Sequence, residues 1–306
     1  MAKEGFGKRI KNRVNGSSKG YLKVIIEKMD YVSNYSQVIF IIPAYNEEEN
    51  LQVLLPELSK FMRFFGYKFH IIVVNDGSND NTGGVVKRLQ TEIPLTLLNH
   101  ETNYGPGAAF RTGFKKALAI ADDCNLIVTM EADNTGDFYV LHKMLERCRK
   151  DSDLVLASVY GTGRVLGAPL HRRFFSHCAN ILLKIIFRVK GINTFTSFFR
   201  VYRATMLREA FKVYGNGLIE ESGFVCMLEL LIKLHALKKY KITQVPMLLD
   251  FKMRIGDSKM KTWLNIRDTL RVIYKYKFNN KRAFSNIRVN NLANSTENLK
   301  LPHQRR

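Results

Sequence analysis

Glu131 and Asp133, separated by Ala132, are residues whose types and spacing permit chemistry directly. Two carboxylates one residue apart at the end of a strand can both face a divalent cation when the backbone between them turns. Such hard oxygen ligands suit Mg²⁺ or Mn²⁺, which keep some of their waters and bind phosphate oxygens as well. A nucleotide diphosphate is therefore a fitting ligand for this pair. Asp76, within Asn75-Asp76-Gly77-Ser78, can accept hydrogen bonds from a base or ribose. Asn103-Tyr104-Gly105-Pro106-Gly107-Ala108 resembles a phosphate loop at a helix start but lacks the Lys and Ser/Thr of a P-loop. Close backbone packing is an equally good use for its glycines.

The elements that would carry these clusters follow from hydrophobic periodicity. Val38 to Ile42 is a short β-branched run stopped by Pro43, which predicts a buried strand. From Glu47 to Phe65, Leu51, Leu54, Leu55, Leu58, Phe61, Met62 and Phe65 recur at three- and four-residue steps, the stripe of a helix covering a sheet. His70 to Val74 predicts a second strand, Thr82 to Gln90 a helix, Leu95 to Leu98 a strand, Gly107 to Ala121 a helix and Leu126 to Met130 a strand. This alternation implies an α/β fold with a mostly parallel, doubly wound sheet and helices on both faces. Ligands of such sheets lie beyond the carboxyl ends of the strands. One Asp-Gly-Ser alone reads as an ordinary turn. Three polar clusters in register, Pro43 to Glu47, Asn75 to Ser78 and Glu131 to Asp133, are expected to converge on one crevice.

Composition narrows the class. The chain carries 48 Lys+Arg against 27 Asp+Glu, for a net charge of +21, with 46% hydrophobic residues. That is a chain able to bury a sizeable core, neither fibrous nor disordered. Residues 1–36 hold 8 basic and 3 acidic side chains, and residues 252–306 hold 14 and 3, so the excess lies in the flanks. The expected organisation is a basic flexible segment at 1–36, a catalytic domain at 37–251, a phosphate-binding loop with a basic amphipathic helix at 252–278, and a basic disordered tail at 279–306. The four cysteines have no CxxC spacing, which points to reduced thiols rather than disulfides or zinc. Without a signal peptide or an apolar run long enough to span a bilayer, the expected location is cytoplasmic.

Ile42-Pro43-Ala44-Tyr45-Asn46-Glu47, Val74 to Ser78, Asn103 to Ala108 and Glu131-Ala132-Asp133, in this order, resemble the family 2 glycosyltransferases with the A-type nucleotide-sugar fold. Arg172 to Leu183, Thr196 to Tyr202, Gly223 to Leu231 and Arg254-Ile255-Gly256-Asp257-Ser258-Lys259 extend the resemblance to the dolichol-phosphate mannose synthases and related polyprenyl-phosphate enzymes, over about residues 37–275. The resemblance implies Pro43, Tyr45, Glu47, Asp76, Gly105, Gly107, Ala132 and Arg200 around the nucleotide sugar. It implies Glu131 and Asp133 at an Mg²⁺ or Mn²⁺ ion, and Asp133, Arg254 and Lys259 at the reacting phosphates. Departures accompany it. Thr135 stands where these synthases have Gln, Val159 where they have Arg, and Phe198 where Gly is usual. Arg164 is a candidate replacement for the arginine.

On the acceptor side, Phe174 to Val189 is apolar around most of a helix, and Met260, Trp263, Leu264, Leu270, Ile273 and Tyr274 form a second partial stripe beside Arg267, Arg271, Lys275 and Lys277. The first could be a core helix; with the resemblance, both suit a helix in the headgroup layer of an anionic membrane. The expected reaction is inverting transfer of a sugar, GDP-mannose being the first donor to try, to a polyprenyl phosphate at the cytoplasmic face of a membrane, with or without a separate anchoring subunit. A lipid phosphate needs no strong base. A saccharide acceptor would need one, with Asp137, Glu220, Glu221 and Glu229 as candidates. A non-catalytic membrane scaffold is a third reading. No nucleic-acid-binding module accompanies the positive charge.

Overall fold

The computed structural model describes residues 37–167, 170–189, 191–250 and 262–279. The expected basic segments at 1–36 and 280–306 lie outside this range, as does 251–261 with Arg254 and Lys259. Seven strands form one sheet in the order β3-β2-β1-β4-β7-β5-β8. The chain runs β1 (Val38–Ala44), α1 (Glu48–Phe64), β2 (Phe69–Asp76), α2 (Thr82–Leu89), β3 (Leu95–His100), α3 (Pro106–Ile120), β4 (Leu126–Thr129), α4 (Phe138–Lys150) and β5 (Leu154–Ser158). There follow β6 (Arg164–Leu166), α5 (Leu170–Phe187), β7 (Arg200–Arg203), α6 (Ala204–Tyr214), α7 (Cys226–Ala236), β8 (Ile242–Pro246), β9 (Leu248–Asp250) and α8 (Thr262–Tyr274), which continues into a π-helical turn, Lys275–Asn279. Strands β6 and β9 pair separately.

Strand alternation divides the core. Val38, Phe40 and Ile42 pack with Leu51, Leu54 and Leu58 of α1 and with Leu141 and Met144 of α4. Ile39 and Ile41 face the opposite way, onto Phe110 and Phe114 of α3 and the α6–α7 layer. The doubly wound expectation therefore holds, with helices on both faces.

Two details differ from the expectation. Strand β1 continues through Pro43, which pairs with Val74. Ile41 O accepts from Met130 N, so alternate residues of β1, Pro43 included, face the β4 side. Beyond Thr129, opposite Ile41, β4 has ended, and the N–H that proline lacks has no ladder partner to miss. Second, β7 runs antiparallel between β4 and β5. The chain leaves β5 at its carboxyl end, makes the excursion through β6 and α5, and re-enters the sheet from that same end. A parallel strand would need a crossover to the other end.

Phe114 is fully buried and meets Tyr202 edge-on, with ring centroids 5.6 Å apart. Phe114→Ala is expected to lower stability by about 3–5 kcal/mol, read as a shift in urea midpoint. A shift equivalent to less than about 1 kcal/mol would show that this face of the core is loosely packed.

Candidate active site

The three strand-end clusters converge through hydrogen bonds. Asn46, at φ 53°, donates its N–H to Ser78 Oγ at 2.9 Å, and its Oδ1 accepts from Asn79 N at 2.8 Å. Glu47 N donates to Thr82 Oγ1 at 2.9 Å, joining the β1 and β2 loops a second time. The β4 loop attaches through Asn134, also left-handed at φ 61°, whose Nδ2 donates to Asn50 Oδ1 at 2.9 Å. Asn50 in turn donates to Glu47 Oε2 at 2.6 Å. Asparagine tolerates this backbone region and carries a side chain that bonds locally, so Asn46 and Asn134 serve as knots between loops.

Asp133 is buried, and its Oδ1 accepts from Thr135 N at 3.1 Å and Thr135 Oγ1 at 2.6 Å. Thr135 thus orients the carboxylate. Glu131 and Asp133 line one cavity of about 420 Å³. Its other walls include Met130, Phe198 and Phe224, with Leu182 of α5 and Leu270 of α8 near its margin. Phe198 stacks on Phe224 with ring centroids 5.8 Å apart, and Thr129 Oγ1 fixes the loop by donating to Phe198 O at 2.6 Å. The aromatic found where Gly was expected therefore builds an apolar wall. No Lys, Arg or His is among the described lining residues.

The acid pair fits a hard divalent cation. Its donors are both carboxylate oxygens in a shared cavity, and among the described residues no third His, Cys, Asp or Glu closes the set. Positions for diphosphate oxygens and water thus remain.

None of the residues expected around the nucleotide is among the described lining of this cavity. Pro43 lies near the end of β1, Tyr45 and Glu47 follow it, and none of the three lines the cavity. Asp76 was expected to meet a base or ribose, yet it is only 3% exposed. Its Oδ1 accepts from Tyr104 N at 3.1 Å and lies 2.6 Å from His100 Nδ1, while Oδ2 accepts from Gly105 N at 2.8 Å. The carboxylate holds the glycine loop. Gly105, at φ 86°, would place a Cβ 2.6 Å from Ser222 O, and one on Gly107 would strike Glu221 O. These glycines permit a backbone-to-backbone contact, completed by Gly107 N donating to Ser222 O at 2.8 Å. Ala132 is buried in the apolar cluster on the α1 and α4 face of the sheet and does not line the cavity.

Arg200 also has a different role from the expected one. It is fully buried and donates from Nε to Ser197 O at 2.6 Å and from Nη2 to Phe195 O at 2.8 Å. It shapes the cavity wall from behind. Arg164 is exposed on β6, where Val165, its neighbour in strand alternation, faces the cavity; Arg164 supplies no charge to the cavity wall. Sequence reasoning missed Asn50, His100 and Ser222, since their roles appear only when distant loops meet. The asparagines at 46 and 134 were the available signal.

The fold and the carboxylate pair at the end of β4 define an A-type glycosyltransferase architecture. A glucosyl-3-phosphoglycerate synthase from Mycobacterium tuberculosis, solved with Mn²⁺, UDP and phosphoglyceric acid, shares it at a TM-score of 0.59 and 15% identity, over 82% of this chain and 81% of that one. Residues 39–215 match the family described as Glycosyl transferase family 2, and the chain belongs to that family. It is 29% identical over 242 residues to a dolichol-phosphate mannosyltransferase of Pyrococcus furiosus, 78% of this chain and 63% of the relative's length. It is 30% identical to an undecaprenyl-phosphate mannosyltransferase of Micrococcus luteus, over 73% of this chain and 87% of the relative.

The carboxylates considered as a base for a saccharide acceptor have structural partners. Asp137 caps α4 by accepting from Tyr139 N at 2.9 Å. Glu229 is fully buried and accepts from Glu220 N and Glu221 N, both at 2.8 Å, from Lys233 Nζ at 2.7 Å and from Tyr276 Oη at 2.6 Å. Glu221 pairs with Arg271, and Glu220 accepts from Lys275 Nζ at 2.8 Å. Burial alone would raise the Glu220 carboxyl. The Lys275 hydrogen bond and the charges of Lys233 and Lys275 outweigh it and hold the group at about 2, below its ordinary 4.5. A depressed carboxyl stabilises the fold above its unfolded value, a contribution lost as pH falls through the folded value. The melting temperature of wild type is therefore expected to exceed that of Glu220→Gln above about pH 4.5, with the curves converging toward about pH 2. A constant gap across this window would remove the charge argument.

Proposed function

We propose that this chain transfers a hexosyl group, with mannose from GDP-mannose as the first donor to test, to a polyprenyl phosphate at a membrane surface. The observation that carries the reading is a single cavity reaching from Glu131 and Asp133 to Leu182 and Leu270, on helices whose outer faces are apolar and exposed. On α5, Ile181, Leu182 and Ile185 are exposed, and on α8, Trp263, Leu264 and Leu270. The two helices pack against each other, so these side chains belong to neighbouring surfaces. Such a surface, flanked by basic residues, suits the headgroup layer of an anionic membrane on its cytoplasmic side. Among the described residues no helix is long and apolar enough to cross a bilayer. Attachment would then be peripheral, with or without an anchoring subunit.

In this reading an acceptor phosphate oxygen bonds to the anomeric carbon as the bond from that carbon to the nucleoside diphosphate breaks on the opposite face. The leaving group departs with the electron pair, and the configuration inverts. An Mg²⁺ or Mn²⁺ ion held by Glu131 and Asp133 would neutralise the developing charge on that diphosphate. Thr135 keeps the Asp133 carboxylate aimed into the cavity. Met130, Phe198 and Phe224 limit water around the anomeric carbon, which favours transfer over hydrolysis. Pro43, Tyr45 and Glu47 flank the donor nucleotide at the β1 end. Clustered phosphates suit an Arg fork and a Lys point charge, and the family resemblance assigns Arg254 and Lys259, which lie outside the described residues, to that task. Because a phosphate acceptor is already anionic, the structural engagement of Asp137, Glu220, Glu221 and Glu229 favours it over a saccharide.

The test is turnover of GDP-mannose, UDP-glucose and UDP-N-acetylglucosamine with a polyprenyl phosphate and Mg²⁺ or Mn²⁺. Lipid-linked sugar is expected with one donor, and Asp133→Ala should reduce its formation by about 100-fold or more. Donor binding without lipid glycosylation would overturn the acceptor assignment. Full activity of Asp133→Ala would overturn the role of the acid pair. Vesicles containing anionic lipid should bind the chain more tightly than neutral ones, with the difference shrinking between low and 0.5 M salt, on the order of a Debye length of a few Å.

A further inference from the structure

We infer that Glu229 is a positioning residue for the acceptor, fixing the height of α8 over the cavity through Tyr276; this rests on the transfer reaction proposed above. Glu229 lies outside the cavity wall and takes no part in the proposed chemistry. Even so, it is fully buried and accepts four hydrogen bonds, from two backbone N–H groups, Lys233 and Tyr276. Tyr276 Oη also lies 3.2 Å from Glu220 Oε2, and Arg271 of α8 reaches Glu221. Residues 220–222 are therefore held on one side by α8 and its π-helical turn. On the other side, Ser222 O accepts from Gly107 N, in the glycine loop that Asp76 clamps.

The cavity face of α8 carries Ile266, Thr269 and Leu270. Lifting or sliding the helix would pull the Tyr276 hydroxyl from a buried carboxylate and leave that charge with poorer compensation. A buried carboxylate tolerates this badly, whereas an apolar contact can slip at small cost. The network thus sets where Thr269 and Leu270 stand relative to Glu131 and Asp133. It connects the acceptor wall to the β2 end of the sheet through a continuous run of hydrogen bonds. The glycine loop has its own support in Asp76, so loosening α8 should affect the acceptor more than the donor.

Tyr276→Phe keeps the ring and removes only the hydroxyl, and Arg271→Ala releases the Glu221 attachment from an exposed side chain while the Lys275 contact with Glu220 remains. Steady-state kinetics of the full chain with the reacting donor and a polyprenyl phosphate should show the acceptor KM raised roughly fivefold to tenfold in each variant. Donor KM and kcat should stay within about twofold of wild type. Glu229→Gln, where it folds, should move the acceptor KM further in the same direction. An unchanged acceptor KM in folded Tyr276→Phe and Arg271→Ala, with only a lower melting temperature, would reduce the network to a fold anchor. Equal rises in donor and acceptor KM would also overturn the inference. A wild type that glycosylates no lipid phosphate overturns the reaction and this inference together; an active wild type with insensitive variants overturns the inference alone.

Discussion

The carboxylate of Asp76 sits at the end of β2 almost out of reach of water, and a buried carboxylate is tolerable only when its oxygens are hydrogen-bonded. The bonds come from the ring of His100, which ends the adjacent strand β3 opposite Asp76, and from Tyr104 N and Gly105 N in the loop that follows. His100 is itself held by Thr112 of α3 at 2.9 Å. Satisfying one side chain thereby fixes the loop between β3 and α3, and this loop presents Gly105 and Gly107 to residues 221–222. The glycines allow two backbones to touch, and the segment they touch is bonded in turn to Glu229 and α8. Much of what surrounds the cavity therefore depends on an acidic residue that does not line it.

The site itself is a compromise between charge and apolar packing. Glu131 and Asp133 share their cavity with Met130, Phe198 and Phe224, surroundings in which electrostatic attraction to a cation is stronger than in water. The same surroundings penalise an uncompensated carboxylate, which explains why Asp133 has two donors from Thr135 close at hand. Arg200 solves a related problem behind the wall. Its guanidinium satisfies the carbonyls of Phe195 and Ser197, leaving the apolar side chains of Phe198 and Phe199 to face the cavity.

Helices α5 and α8 depart from the usual rule for surface helices, since each exposes large apolar side chains. Ile185 is 66% exposed and Trp263 75%, while Leu183 on α5 and Val272 on α8 are fully buried. Both helices thus have a face for the core and a second apolar face outside it. Exposed apolar faces of this kind beside the cavity are what the proposed membrane contact calls for.

The residue pattern alone was enough to define the doubly wound sheet and the convergence of its strand ends, because period-2 and period-3.6 hydrophobic spacing are local properties. It also marked Glu131 and Asp133, whose one-residue spacing needs no distant partner to be suggestive. The antiparallel insertion of β7 was decided by tertiary structure, since a four-residue strand has no local mark of its direction. So were the roles of Asp76, Gly105, Gly107 and Arg200, which have the right types for ligand contact yet face the chain's own backbone. The physical reason is the same for all four. A carboxylate, an arginine fork or a missing Cβ serves a buried backbone as well as it serves a nucleotide, and only the folding of segments more than a hundred residues apart, such as 105–107 and 221–222, determines which partner arrives.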